Sequence, residues 1–261
     1  MIPSFSNIDA IVPAFMIFSL ISIRMAFLFV SAPLLSSRLI PMQIKAAIIV
    51  FISFITYLGL PAIVPPPLDV IGFLIAVTGE AAVGASAGIT ASIVFAAVEG
   101  GGRLMGIPMG LGFAQVVDPM TQGSTVVTAR FLGVITSMMF LALNIHHVLF
   151  KLISTSFIVL PPGTVIPTVI SAKTLVDSAS LIFIGSAQLV APILIVLLGV
   201  LTALGILARV APKINLFALS FAISIGLGLI ALRGALPQMA VWLEHSLNTI
   251  EPLASGVIAG F

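Results

Sequence analysis

The chain has 261 residues, 60% hydrophobic and 7% charged, with a formal net charge of +2. A water-soluble domain carries about 25% charged residues. A chain this poor in charge, with a mean hydropathy of +1.33, cannot cover a solvated surface and reads as an integral membrane protein. It has no basic run to follow a phosphate backbone, and the lack of cysteine excludes disulfides, thiolate chemistry and thiolate metal sites.

The N-terminal stretch "MIPSFSNIDAIVPAF" has no basic n-region and carries Asp9, so a cleaved signal peptide is not expected and the first apolar run stays. A helix that crosses hydrocarbon needs ~20 mostly apolar residues. Six runs meet that need, at roughly 10–30, 40–62, 70–98, 126–150, 176–207 and 214–236. Proline- and glycine-rich stretches separate them, as expected at helix ends. The expected fold is therefore an all-α membrane protein, since barrel strands would be shorter and alternating. Arg38 and Lys45, Arg103 and Arg130, and Arg209 and Lys213 flank connections one, three and five. Counting basic residues puts these connections in the cytoplasm and both termini outside.

Three features depart from a plain lipid-embedded bundle. Arg24 lies in the first run, Glu80 in the third, and the fifth exceeds one span and contains Pro192. Charges at membrane depth face protein or water rather than lipid. "EAAVGASAGITAS" sets Glu80, Gly84, Gly88 and Ser92 on one i+4 row, where small residues allow another helix close approach. A buried Glu80 then needs a donor across that interface. The same stretch contains G-x-S-x-G, with Ser86 at its centre, which marks a hydrolase nucleophile only at a strand-to-helix elbow. An intramembrane hydrolase pairing Ser86 with His146 or His147 is thus one alternative to helix packing.

"EGGGRLMG" is glycine-rich but lacks the Lys-Ser/Thr ending of a phosphate loop. In "GIPMGLGFAQVVDP", Gly106 to Pro119, the chain is too broken for a helix and too apolar for a solvated loop. Irregular backbone at membrane depth persists only where protein buries it or water reaches it. Arg130, Ser137, Asn144 and Lys151 recur every seven residues and would form one slowly drifting polar stripe on a helix. His146 and His147 are adjacent, so on a helix they point about 100° apart and chelate one metal poorly. A small-molecule transporter with a site at broken helices is a further alternative, although the two halves do not visibly repeat.

The order of markers along the chain carries a resemblance. They are Arg24, Pro33, Pro41 and Lys45; Glu80, Gly84 and Gly88; Gly101, Gly110 and Gly112 through Asp118-Pro119; Asn144 with His146 and His147; Pro161 with Gly163; Ala191-Pro192; and "APKINLF" with Pro212, Asn215 and Phe217. From about Arg24 to Arg233 the chain resembles the FliR family, the R subunit of the flagellar type III export gate and homologue of the injectisome T subunit. Ile145 departs from the family's frequent N-G-H-H.

The resemblance implies the remaining expectations. Bent helical hairpins pack with P and Q subunits into a helical multi-subunit cone, the inner-membrane entrance pore for unfolded export substrates at the flagellar basal body. Residues 1–175 form a P-like hairpin region and 176–261 a Q-like one. The loop at 106–122 plugs the closed pore through Gly106, Met109, Gly110, Leu111, Gly112, Phe113, Ala114, Gln115 and Val116. Glu80, Gly84, Gly88, Arg130, Asn144 and Asn215 are expected at subunit-packing positions. A B-type switch protein and an A-type export protein complete the partners. No catalytic group, metal, cofactor or nucleic acid is expected.

Overall fold

The computed structural model describes residues 8–37, 40–60, 69–111, 127–165, 169–211 and 216–258. Among them it holds eight helices and no strand: α1 Ile8–Ser31, α2 Met42–Gly59, α3 Val70–Gly106, α4 Val127–Ala142, α5 Ile145–Val159, α6 Val169–Val210, α7 Leu216–Asn248 and α8 Ile250–Ile258. Five are long and apolar enough to cross a membrane, and the α4–α5 pair supplies a sixth if it counts as one broken span. The membrane-protein reading from composition thus has its structural counterpart.

The helices differ from the apolar runs at instructive places. α3 continues eight residues past the third run, through the whole of "EGGGRLMG". The fourth run divides at Asn144, which adopts φ 56° and ψ 28°. Asparagine tolerates this left-handed conformation better than most residues, and one such residue stops a right-handed helix. The seven-residue polar stripe therefore does not lie on one helix. Arg130 and Ser137 belong to α4, Lys151 to α5, and Asn144 is the break between them. The last run extends to Asn248 and is followed by the short α8, which hydropathy did not signal.

The chain divides into two compact units. The first comprises Met1–Ser92, Asn144–Ser178 and Thr249–Phe261. In it α1 buries Ile17, Leu20, Ile21, Arg24, Met25 and Leu28, a stripe at i, i+3, i+4 and i+7. On α5, Ile145, Leu149, Ile153 and Phe157 repeat every four residues and are likewise buried. α2 buries only Ser53, and it exposes Phe51, Phe54, Ile55 and Leu58. The turn after α1 places Leu34 at φ 64°, with the Leu35 amide donating to the Pro33 carbonyl at 2.8 Å. This is a γ-turn around a left-handed leucine, a conformation of order 1–3 kcal/mol above the ordinary ones.

The second unit comprises Ile93–Leu143 and Ala179–Asn248. Its packing explains the glycine run. A Cβ on Gly100 would meet Ser186 Oγ at 2.5 Å, and one on Gly101 would meet Val190 Cγ1 at 3.0 Å, both on α6. One on Gly102 would overlap the backbone of Ala129 on α4. Two helices thus approach the same turn of α3 from different sides. Thr128 Oγ1 donates to the Gly102 carbonyl at 2.6 Å, and Ser186 Oγ donates to the Ala97 carbonyl at 2.8 Å. Phe95 and Phe140 meet edge to face with centroids 5.5 Å apart. In the same unit Val98, Leu132, Thr136, Met139, Leu189 and Met239 line a small cavity of about 30 Å³.

Candidate functional site: a buried charge clasp and the root of the central loop

Arg24 sits in the apolar stripe of α1 and is fully buried. A buried guanidinium must find acceptors for its donors. Its Nε donates to Glu80 Oε2 at 2.6 Å, forming an ion pair with both side chains fully buried. Nη1 donates to Ser156 Oγ at 2.8 Å and Nη2 to the Leu160 carbonyl at 3.0 Å. The guanidinium carbon lies 4.1 Å from the centroid of the Phe157 ring, a cation–π contact. Glu80 uses its second oxygen to accept from the Gly163 amide at 2.9 Å. One charge pair therefore ties α1, α3 and the end of α5 together, with the Pro161–Gly163 turn.

Small residues on α3 bring these groups into range. A Cβ on Gly84 would overlap the backbone carbonyl of Arg24, and one on Gly88 would overlap Ser31 Oγ. Gly79 faces the Val165 carbonyl as closely. Ser92 Oγ donates to the Ser31 carbonyl at 2.6 Å. Residues 24 and 31 of α1 meet 80–84 and 88–92 of α3, so the two helices run in the same direction. The donor that a buried Glu80 requires is Arg24 of the same chain, and the helix received by Gly84 and Gly88 is α1.

The other element is the start of the glycine-rich loop. The Gly110 amide donates to the Ile107 carbonyl and the Leu111 amide to the Gly106 carbonyl, each at 3.0 Å. Gly110 has φ 77°. Paired bonds of this span around a left-handed glycine form a Schellman closure, which satisfies the carbonyls left open at a helix end. Residues 106–111 are thus a defined root rather than loose chain. Met109 within it and Met105 just before it are fully buried. A Cβ on Gly110 would overlap the ring of Phe221, and one on Gly228 would meet Met109 Cγ at 2.7 Å. Both partners lie on α7.

The remaining expected residues are placed as follows. Gly106, Met109, Gly110 and Leu111 belong to this root, whereas Gly112, Phe113, Ala114, Gln115 and Val116 lie outside the described residues, as does Asn215. Arg130 is exposed on α4, and Asn144 is exposed at the α4–α5 break. Ser86 lies in mid-helix on α3, fully buried, with its Oγ donating to the Val83 carbonyl at 2.8 Å. That is not the strand-to-helix elbow a nucleophilic serine needs. The His146 and His147 rings lie 4.2 Å apart between centroids, and no cluster of three or more His, Asp or Glu suited to a metal occurs among the described residues. Sequence reasoning missed Ser156, Phe157 and Leu160 as partners of Arg24, and Phe221 and Gly228 as partners of the root. Pro161 and Gly163 alone gave a local signal, as turn residues after an apolar run.

Comparison with known proteins agrees over nearly the whole chain. The model of the family described as bacterial export proteins, family 1, matches residues 15–250. The flagellar biosynthetic protein FliR of Escherichia coli (strain K12) is 31% identical over 237 residues, covering 91% of this chain and 90% of that protein. FliR of Pectobacterium carotovorum subsp. carotovorum is 30% identical over 244 residues, with 90% of each chain covered. FliR of Bacillus subtilis (strain 168) is 28% identical over 228 residues, covering 86% of this chain and 87% of that protein. The buried Arg24–Glu80 pair, the glycine-spaced helices and the apolar spans are thus features of a membrane protein that belongs to the FliR family of bacterial export proteins.

Proposed function

We propose that this chain is a structural channel subunit of the flagellar protein export gate in the bacterial inner membrane. It assembles with P and Q subunits into the entrance pore for unfolded export substrates, and the 106–122 segment plugs the closed pore. Residues 1–175 serve as a P-like hairpin region and 176–261 as a Q-like one, with a B-type switch protein and an A-type export protein as further partners.

The observation that carries the reading is the family match over residues 15–250. Helix length supports it. At 1.5 Å per residue α3, with 37 residues, and α6, with 42, are about 55 and 63 Å long, against a hydrocarbon core of ~30 Å. Such helices reach well beyond one bilayer and need further protein against their apolar sides, which expose Ile195, Leu198, Leu201, Ile206 and Val210 on α6. The plug reading rests on an uncharged segment, 106–117, that leaves a rigid root. A pore closed by an apolar constriction excludes ions through dewetting and needs no charge. Glu80, Gly84 and Gly88 act on assembly through the α1–α3 pair they hold together, while Arg130, Asn144 and Asn215 supply polar contacts to neighbouring subunits.

Deleting Gly110–Val116 tests the plug. The expected result is higher ion conductance of the reconstituted complex with P and Q subunits still co-purifying. Unchanged conductance in an intact complex would sink the plug assignment.

A further inference from the structure

We infer that the outer face of α2 is a phospholipid-contact surface, where this subunit meets the bilayer itself rather than a neighbouring protein. α2 packs on α1 within the first unit, and its polarity is inverted relative to a helix on a solvated surface. At about 100° per residue, Ile48, Val50, Phe51, Phe54, Ile55 and Leu58 fall within an arc of about 160°, and all six are exposed. Lys45, Ser53 and Thr56 fall on the opposite side, within about 80° of one another. Ser53 is the residue that α2 buries. Thr56 Oγ1 donates to the Ile52 carbonyl at 2.9 Å and so is satisfied within its own helix. Hydroxyls therefore turn inward while rings and branched chains turn outward, the reverse of what surrounding water selects.

Three further observations favour hydrocarbon over a sister subunit. The first is width. A helix seated against protein shows an apolar stripe of about 100°, and the outward arc of α2 is much broader. The second is side-chain size. Helix contacts inside membranes are built on small residues, and this chain seats α1 on Gly84 and Gly88 in that way. From Ile48 to Leu58 the outward arc of α2 holds no glycine, alanine, serine or threonine. The third is length with charge. With 18 residues α2 is about 27 Å long, close to the ~30 Å hydrocarbon core. Gln43 and Lys45 lie together in its first turn. Lys45 makes no ion pair among the described residues. Its side chain leans toward the helix N-terminus and can reach out along an apolar surface to lipid phosphates, which supply the missing anion. α2 thereby sets the depth of the first unit in the bilayer, with the phosphate level at Lys45. The inference does not depend on the plug reading.

The chain has no cysteine, so single cysteines can carry a nitroxide. Phe51→Cys, Phe54→Cys and Leu58→Cys are each labelled in the complex purified from membranes. The complex is then reconstituted with phosphatidylethanolamine and phosphatidylglycerol, and the signal of the equally treated parent complex is subtracted. Collision of the nitroxide with oxygen, which concentrates in hydrocarbon, is compared with collision with a water-soluble nickel chelate. The expected result at all three positions is oxygen collision several-fold above nickel collision, with the largest excess at Phe51, midway along the helix. Low collision with both reagents in assembled complexes would show that another subunit covers the arc and would overturn the inference. Nickel collision at or above that of oxygen would place the arc in water and overturn it as well. All three substitutions lie on the unpacked side of α2, so assembly should persist, and any one assembled variant suffices to decide.

Discussion

Replacing Arg24 with leucine takes away three donors at once and leaves the Glu80 carboxylate buried, with the Gly163 amide as its remaining hydrogen-bond donor. Ser156 Oγ keeps its own bond to the Ile153 carbonyl at 2.7 Å, so it is not orphaned. The penalty therefore falls mainly on the stranded charge and on the Leu160 carbonyl. Breaking one side of a buried pair costs about 3–5 kcal/mol, a large part of the roughly 5–15 kcal/mol that holds an ordinary domain folded. Glu80→Leu strands Arg24 instead and should cost a similar amount. The double variant Arg24→Leu/Glu80→Leu strands no charge. It leaves the Gly163 amide and the Leu160 carbonyl without partners, each worth about 1–3 kcal/mol. Its total cost should then resemble one single variant rather than the sum, a coupling of about 3–5 kcal/mol. Thermal unfolding of the detergent-solubilised complex, with the amount of subunit recovered from membranes, measures this cycle. Additive single and double effects, with coupling below about 0.5 kcal/mol, would refute the clasp as an energetic unit.

Gly84→Leu should separate α1 from α3, because even a Cβ there overlaps the Arg24 carbonyl; loss of the subunit from co-purified complexes is the expected readout. Gly163→Ala strains a backbone at φ 86° by about 1–2 kcal/mol and moves an amide that Glu80 uses, so the melting temperature should fall while assembly persists. Ser86→Ala removes one hydroxyl bonded within its own helix; export should be unchanged, and loss of export would revive a chemical role for that serine. Thr128→Val keeps shape but deletes the bond to the Gly102 carbonyl, which should cost about 1 kcal/mol and appear as faster exchange at the start of α4.

Much of the membrane architecture was legible because apolar runs of span length have few alternatives in hydrocarbon. What stayed hidden depends on which segments meet. Arg24 and Glu80 each announced a need for partners, yet Ser156 and Leu160 lie 132 and 136 residues from Arg24, and no local pattern links them. Gly100–Gly102 fell outside the third apolar run, 70–98, because glycine adds little hydropathy and weakens isolated helices. Close approach by α4 and α6 reverses that preference once the helices pack. Asn144 read as one member of a polar stripe because hydropathy is blind to φ. The last third of α7 was missed because "ALPQMAVWLEHSLN" mixes Pro237, Glu244 and His245 into the helix and dilutes its apolar signal. In the central loop the root's composition was visible, but its partners Phe221 and Gly228 lie more than a hundred residues downstream.

The Arg24 clasp also constrains how the protein is made. Arg24 is synthesised before its acceptors, which follow 56, 132 and 136 residues later. At about 5–20 residues per second, the last of them arrives roughly 7–27 s after the arginine. For the first 56 residues of that interval, roughly 3–11 s, the guanidinium has no counter-charge, and its set of acceptors stays incomplete until Leu160 follows, so hydrocarbon is a poor place to wait. The fully hydrogen-bonded seating of α1 therefore waits until Leu160 has been added. The seating of the first helix becomes a late event of biogenesis, timed by the ribosome's arrival at the end of α5.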